Sequence, residues 1–145
     1  MAHASKTILV NRPRSEVFNF LADGLNNPKW RPAVLDISLA EGETSKPGAV
    51  YKQGVKGPMN KRLDADYQIT ELEPDKKIIF QVVKGPARPI GHFALADSGP
   101  GTELTFTLDF QPKGFAKIMG PMIQKTMEIE VNTLENLKKY LEEQA

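Results

Sequence analysis

The sequence predicts an α+β fold, one curved antiparallel sheet of seven strands covered by one long helix at the C-terminal end. Three observations carry this. From Val34 to Phe110 apolar residues recur with period two, in runs joined by glycine- and proline-bearing turns and not by helices. From Met122-Ile123 onward, Met127, Val131, Leu134, Leu137 and Leu141 follow at steps of three and four, the spacing of one helical face. Before both, one short strand leads into two short helical pieces. Strands joined by turns pair antiparallel, and each then has one apolar face to bury. The C-terminal helix is the element large enough to cover that face. Seven twisted strands curl strongly, so space is expected between sheet and helix.

In chain order, Lys6-Thr7-Ile8-Leu9-Val10 is short and β-branched and is expected as the first strand. Pro13 opens a helix at its first position, with Glu16 favourable in the first turn and Asp23-Gly24 ending it. Val17, Phe18 and Leu21 form its buried face. Asn26 to Trp30 reads as a turn or one short helix, stopped by Pro32. Leu35, Ile37 and Leu39 then alternate with polar residues. Ala49, Tyr51, Gln53 and Val55 share one side of the next strand. Leu63, Ala65, Tyr67 and Ile69 alternate cleanly with polar neighbours, Ile78 to Val83 follows, and Phe93 and Leu95 share a side after Gly85-Pro86. Asp97-Ser98-Gly99-Pro100-Gly101 marks a hairpin into Leu104, Phe106, Leu108 and Phe110. A second apolar run, Phe115-Ile118-Met119, precedes Gly120-Pro121, where the long helix is expected to start. From Pro121 to Glu143 it would run about 34 Å at about 1.5 Å per residue.

The totals bound the function. A chain of 145 residues makes a single domain spanning 1–145, with a sizeable core. Nineteen basic and 18 acidic residues give a net charge of +1, with no electrostatic footprint for nucleic acid or an anionic membrane. The absence of cysteine removes thiol chemistry, disulfides and thiolate metal sites and fits a reducing compartment, so the cytoplasm is the default location. No segment approaches the roughly 18 apolar residues of a membrane-spanning helix. His92, the only histidine beyond the first few residues, alternates out of phase with Phe93 and is expected in solvent. No catalytic triad, metal set, phosphate loop or cofactor motif is present.

The order β-αα-β₆-α, with its residues, resembles the START-like, pollen-allergen-like helix-grip superfamily (SRPBCC), and within it the polyketide cyclase/dehydrase and lipid transport branch. The matching residues are Arg12-Pro13-Arg14-Ser15-Glu16-Val17-Phe18 with Leu21-Ala22-Asp23, Pro28-Lys29-Trp30-Arg31-Pro32, Pro47-Gly48-Ala49-Val50-Tyr51, Ile69-Thr70-Glu71-Leu72-Glu73-Pro74, Gly101-Thr102-Glu103-Leu104 and Leu134-Glu135-Asn136-Leu137-Lys138. They span nearly the whole chain and mark the fold better than any chemistry. The resemblance implies a pocket between sheet and long helix that takes an apolar or aromatic small molecule, and fold alone does not name it.

The residues offer candidates for such a pocket. Phe80, Phe93, Phe106, Met119, Ile123 and Met127 would supply apolar walls, and methionine adapts to varied shapes. Tyr51, Gln53 and Tyr67 lie on otherwise inward strand faces, either bonded to one another as structural groups or orienting a ligand. Trp30 flanks the cavity entrance or lids the sheet end. Glu130 stands in the middle of the helical stripe, aimed into the cavity, leaning to the helix edge toward water, or paired with a strand arginine such as Arg62. Burial among apolar side chains favours the protonated form of a carboxyl, which would suit it to acid–base work.

Three functions follow as expectations. The first is binding of a small hydrophobic or aromatic, lipid- or polyketide-like ligand, with no cofactor. The second is a cyclase or dehydratase using the same cavity, which needs a second titratable group within reach of Glu130. The third is a protein-interaction module such as a chaperone co-factor, which predicts an exposed apolar patch. Oligomeric state is not legible.

Overall fold

The computed structural model describes residues 2–85, 87–111 and 120–143. The strands are β1 (Ala2–Val10), β2 (Val34–Glu41), β3 (Val50–Lys56), β4 (Arg62–Asp64), β5 (Tyr67–Glu73), β6 (Lys77–Val82), β7 (Ile90–Ser98) and β8 (Gly101–Phe110). Helix α1 (Arg14–Ala22) and a 3₁₀ helix (Gly24–Lys29) stand between β1 and β2, and α2 (Gly120–Asn132) and α3 (Leu134–Glu143) close the chain. One antiparallel sheet runs in the order β1-β8-β7-β6-β5-β3-β2, with short β4 paired to β3 beside this path. The first strand thus pairs with the last, from Ala2 opposite Phe110 to Val10 opposite Thr102. Since β1 and β2 are the two edges, the segment carrying α1 and the 3₁₀ helix spans the width of the sheet.

Alternation decides which face is core. Ile78, Phe80 and Val82 of β6 and Leu104, Phe106 and Leu108 of β8 are buried while their neighbours are not. The C-terminal helices lie over β1 and, less extensively, β8. There Ala2 and Ala4, both buried, give a backbone-close seat that larger side chains would fill. Arg12 fastens the far end: its Nε donates to the carbonyl of Leu141 at 2.9 Å and its Nη2 to that of Glu142 at 3.3 Å. A cation on the last carbonyls of a helix satisfies orphan acceptors and complements the dipole.

The structure departs from the expected elements in four places and from the expected placement of two residues. The first strand begins at Ala2, because pairing with β8 draws the alanines in despite their weak strand preference. In β2 a register shift between Val34 and Asp36 buries Val34 and leaves Leu35 and Leu39 exposed, with Ile37 half-buried. The clean run from Leu63 to Ile69 is broken into β4 and β5, because the Asp66 carboxylate accepts the backbone N–H of Gln53 at 3.2 Å and competes with the ladder. The long helix is two helices. At Thr133 the bonds shorten to steps of three, Thr133 N to Glu130 O at 3.1 Å and Asn136 N to Thr133 O at 2.9 Å, and the Thr133 hydroxyl also donates to Glu130 O. Met122, expected near the apolar stripe, is exposed. His92, expected in solvent, is half-buried on the outer face between Ile79 and Thr107. No described helix is long and apolar enough to cross a membrane.

Candidate functional site

Across the middle of the sheet the inward residues are aromatic, one from each of five strands. Tyr51 of β3 stacks on Tyr67 of β5 with ring centroids 5.2 Å apart, and Tyr67 meets Phe80 of β6 at 5.2 Å. Phe80 meets Phe93 of β7 at 6.0 Å, and Phe93 stacks on Phe106 of β8 at 4.4 Å. Tyr51 with Tyr67 and Phe93 with Phe106 are direct cross-strand partners, so the register itself builds the stack. Gly91 faces Phe80, and a Cβ there would sit 2.0 Å from the ring. Trp30, after the 3₁₀ helix, lies edge-on against both Phe93 and Phe106 at 6.3 Å. It is buried, and Asn136 of α3 donates to its carbonyl at 3.2 Å. Trp30, Phe80, Phe93 and Phe106 thus form one continuous aromatic surface.

The polar groups on this surface are tied to the 3₁₀ helix. Asn27 Nδ2 donates to Gln53 Oε1 at 3.1 Å and to the Tyr67 hydroxyl at 2.9 Å, and Gln53 Nε2 donates to the carbonyl of Ala65 at 3.3 Å. Tyr51 shares a hydrogen bond of 2.7 Å with Thr44, whose hydroxyl also lies 2.8 Å from Asp23 Oδ1. Gly24 makes this possible: a Cβ there would come within 2.2 Å of the Tyr67 hydroxyl and 3.0 Å of the Tyr51 ring. Asn27 thus bridges Gln53 and Tyr67, and Thr44 holds Tyr51. Burial, the largest influence on Tyr67, pushes its phenol well above the ordinary value, so near neutrality it is a hydrogen-bond donor and not an acid.

Glu130 is not a lone carboxylate among apolar atoms. Its Oε2 accepts from Arg31 Nε at 3.1 Å and Nη2 at 2.9 Å, with side-chain exposures of 14% for Arg31 and 18% for Glu130. The partner expected from the strands, Arg62, is instead held by Asp36 and Asp64. The Arg31 guanidinium offers hydrogen-bond donors only, so it balances the Glu130 carboxylate without accepting a proton from it. The second titratable participant that acid–base chemistry needs is therefore not supplied by this contact.

Between the aromatic surface and the 3₁₀ helix lies a cavity of about 20 Å³, lined by Leu21, Asn27, Trp30, Arg31, Tyr67, Ile69, Ile78, Phe80 and Phe93. One water needs roughly 10–15 Å³, whereas a small-molecule pocket encloses roughly 300–1,000 Å³. Trp30, Tyr67, Phe80 and Phe93 meet here. Tyr51, Gln53 and Phe106 back them, Glu130 reaches the margin through Arg31, and Ile123 and Met127 pack in the core without lining this cavity. Met119 lies outside the described residues. Asn27 and Arg31 are additions that sequence reasoning did not make. Asn26-Asn27-Pro28 carries only a turn signal, and Arg31 finds Glu130 across 99 residues of chain.

With this geometry in view, comparison with known proteins is direct. The family model described as "Polyketide cyclase / dehydrase and lipid transport" matches residues 1–142. The chain belongs to this family. A protein of Thermus thermophilus shares 17% identity over 99% of both chains with a TM-score of 0.79. A START superfamily protein of Mycobacterium smegmatis shares 22% identity over 99% of this chain and 97% of its own, at a TM-score of 0.75. Ara h 8.0201 shares 18% identity over 95% of both chains, also at 0.75. No curated protein matches the sequence. At these identities the likenesses carry the fold, and it is the helix-grip fold. In this family member the C-terminal helices rest on β1 and β8, and the aromatic half of the sheet is faced by Trp30 and the 3₁₀ helix.

Proposed function

We propose that the protein binds a small, largely apolar aromatic molecule between the sheet and the 3₁₀ helix. The observation that supports this is the buried aromatic surface around a cavity into which Trp30, Tyr67, Phe80 and Phe93 converge. The ligand-facing set is Trp30, Tyr67, Phe80 and Phe93, with Tyr51, Gln53 and Phe106 behind and Glu130 at the margin through Arg31; Ile123 and Met127 belong to the core beyond it. A ligand larger than water enters by displacing side chains, through Trp30 or by parting Arg31 from Glu130. Burying about 200 Å² of its apolar surface would contribute about 5 kcal/mol at about 25 cal/mol per Å², before ordering costs.

Trp30 is the single tryptophan, which makes it a reporter for this site. Titration with N-phenylnaphthylamine, a neutral apolar dye, is expected to quench Trp30 emission with a matching rise in dye emission, saturating at one dye per chain. Tryptophan emission and melting temperature left unmoved by this dye and by a panel of apolar aromatics would contradict the reading. Native mass spectrometry of freshly purified protein, looking for a retained small molecule, is the complementary test.

A further inference from the structure

The hydrogen bonds around Tyr67 have a direction. Gln53 Nε2 is committed to the carbonyl of Ala65, so Gln53 presents Oε1 to Asn27. Asn27 must then turn its NH₂ toward Gln53, and the same NH₂ donates to the Tyr67 oxygen. The Tyr67 hydroxyl is thereby an acceptor in this chain of bonds, and its own proton has no acceptor among the described residues. A second donor is in the same condition: the indole N–H of Trp30, a residue 3% exposed, is buried with no acceptor among the described residues. Both residues line the cavity. An unmet buried donor is costly, and two on one cavity call for an oxygen acceptor between them.

The charge of that acceptor also follows. Arg31 is the charged residue lining the cavity, and its guanidinium is matched by Glu130. An anion would enter without a free countercharge, at the desolvation cost of an unpaired buried ion. The apolar side chains of Leu21, Ile69 and Ile78 complete the surroundings.

We propose that the cavity is the receiving end for one uncharged oxygen acceptor, such as the ketone of an aromatic ligand, held by the indole N–H of Trp30 and the phenolic O–H of Tyr67. This rests on the binding reading above and narrows its ligand class from apolar aromatics to those bearing a neutral carbonyl-type oxygen. In the free protein one water fits the same position.

The test compares three probes of one size by calorimetry: acetylnaphthalene, ethylnaphthalene and naphthoate. Acetylnaphthalene is expected to bind about tenfold more tightly than ethylnaphthalene, the preference that one or two net hydrogen bonds supply, and naphthoate more weakly than the ketone. In Tyr67→Phe the ratio of ketone to hydrocarbon affinity is expected to collapse toward one. The single indole N–H resonance of the wild type gives a reading independent of any variant. It should move downfield with acetylnaphthalene and not with ethylnaphthalene. Equal affinities of ketone and hydrocarbon, an indole signal blind to the ketone, or naphthoate as the tightest probe would overturn the oxygen-acceptor site while leaving apolar binding intact. Failure of all three to bind would overturn both readings together.

Discussion

The two halves of the concave face are built from different chemistry. Over β1 and β8, Ala4, Ile8, Leu104 and Leu108 meet Met127, Val131, Leu134 and Leu137 of the C-terminal helices, all buried and all without a polar side-chain atom capable of a strong hydrogen bond. Over β3, β5, β6 and β7 the surface is aromatic, carries Asn27, Gln53, Tyr51 and Tyr67, and retains a cavity. These residues of the first half offer apolar packing and no directed polar group. The second combines apolar area with directed polar groups, the composition of a binding site. On the proposed reading the C-terminal helices serve stability, and the site is organised by six residues of 3₁₀ helix, Gly24–Lys29.

This contrast can be broken from either side. The largest loss of stability is expected from Leu134→Ala in the helix-covered half, where the side chain is fully buried. Large-to-small changes of this kind cost about 3–4 kcal/mol, read as a lower midpoint in urea, with the ligand affinity of the remaining folded protein little changed. Gly24→Ala in the site half should cost about 2–3 kcal/mol by overpacking, since the new Cβ meets the Tyr67 hydroxyl at 2.2 Å. Unlike Leu134→Ala it should also abolish saturable quenching of Trp30. If Gly24→Ala bound the dye as the wild type does, the division between the halves would fail.

Next comes the pair that links the halves. Arg31→Met leaves Glu130 as a mostly buried carboxylate without its partner and should cost about 2 kcal/mol, less than for a fully buried pair. Arg31→Met combined with Glu130→Gln should recover most of that loss in a double-mutant cycle, and the paired change should bind N-phenylnaphthylamine at least as fast as the wild type. Additive losses would show that the two side chains act separately.

The smallest effect belongs to the surface. Asp36 and Asp64 are held below the ordinary value of 3.8, first by hydrogen bonds from Arg62, and Glu142 below 4.5, first by a hydrogen bond from Lys138. Because the folded values lie below the unfolded ones, these pairs add stability above the ordinary values and lose it as the pH falls through the depressed ones. Arg62→Met should therefore differ slightly from the wild type at neutral pH and converge with it in acid, in melts recorded across the range. A difference that grew in acid would reverse the sign of the argument.

Much of this was legible in the chain. Phe93 and Phe106 alternate within long, evenly patterned strands, so their shared face follows from period two. Tyr51 and Tyr67 were placed on inward faces by the same rule. What the pattern hides is local competition for backbone bonds. Asp66 breaks a strand whose side chains alternate without fault, and Thr133 divides a helix whose apolar spacing continues across the break. Leu35 looked inward until the bulge at the sheet edge reversed it. Asn27 and Arg31 were invisible for another reason: their roles depend on Tyr67 and Glu130, 40 and 99 residues away, and single-sequence spacing does not encode such meetings.

The central claim, that ligand is received under the 3₁₀ helix and not under the C-terminal helices, is most directly tested by NMR shift mapping with acetylnaphthalene. The account predicts that the largest perturbations fall on the Trp30 indole and the rings of Tyr67, Phe80 and Phe93, with Val131, Leu134 and Leu137 little moved. Perturbations centred on Met127, Val131 and Leu137 with the Trp30 indole unmoved would contradict it.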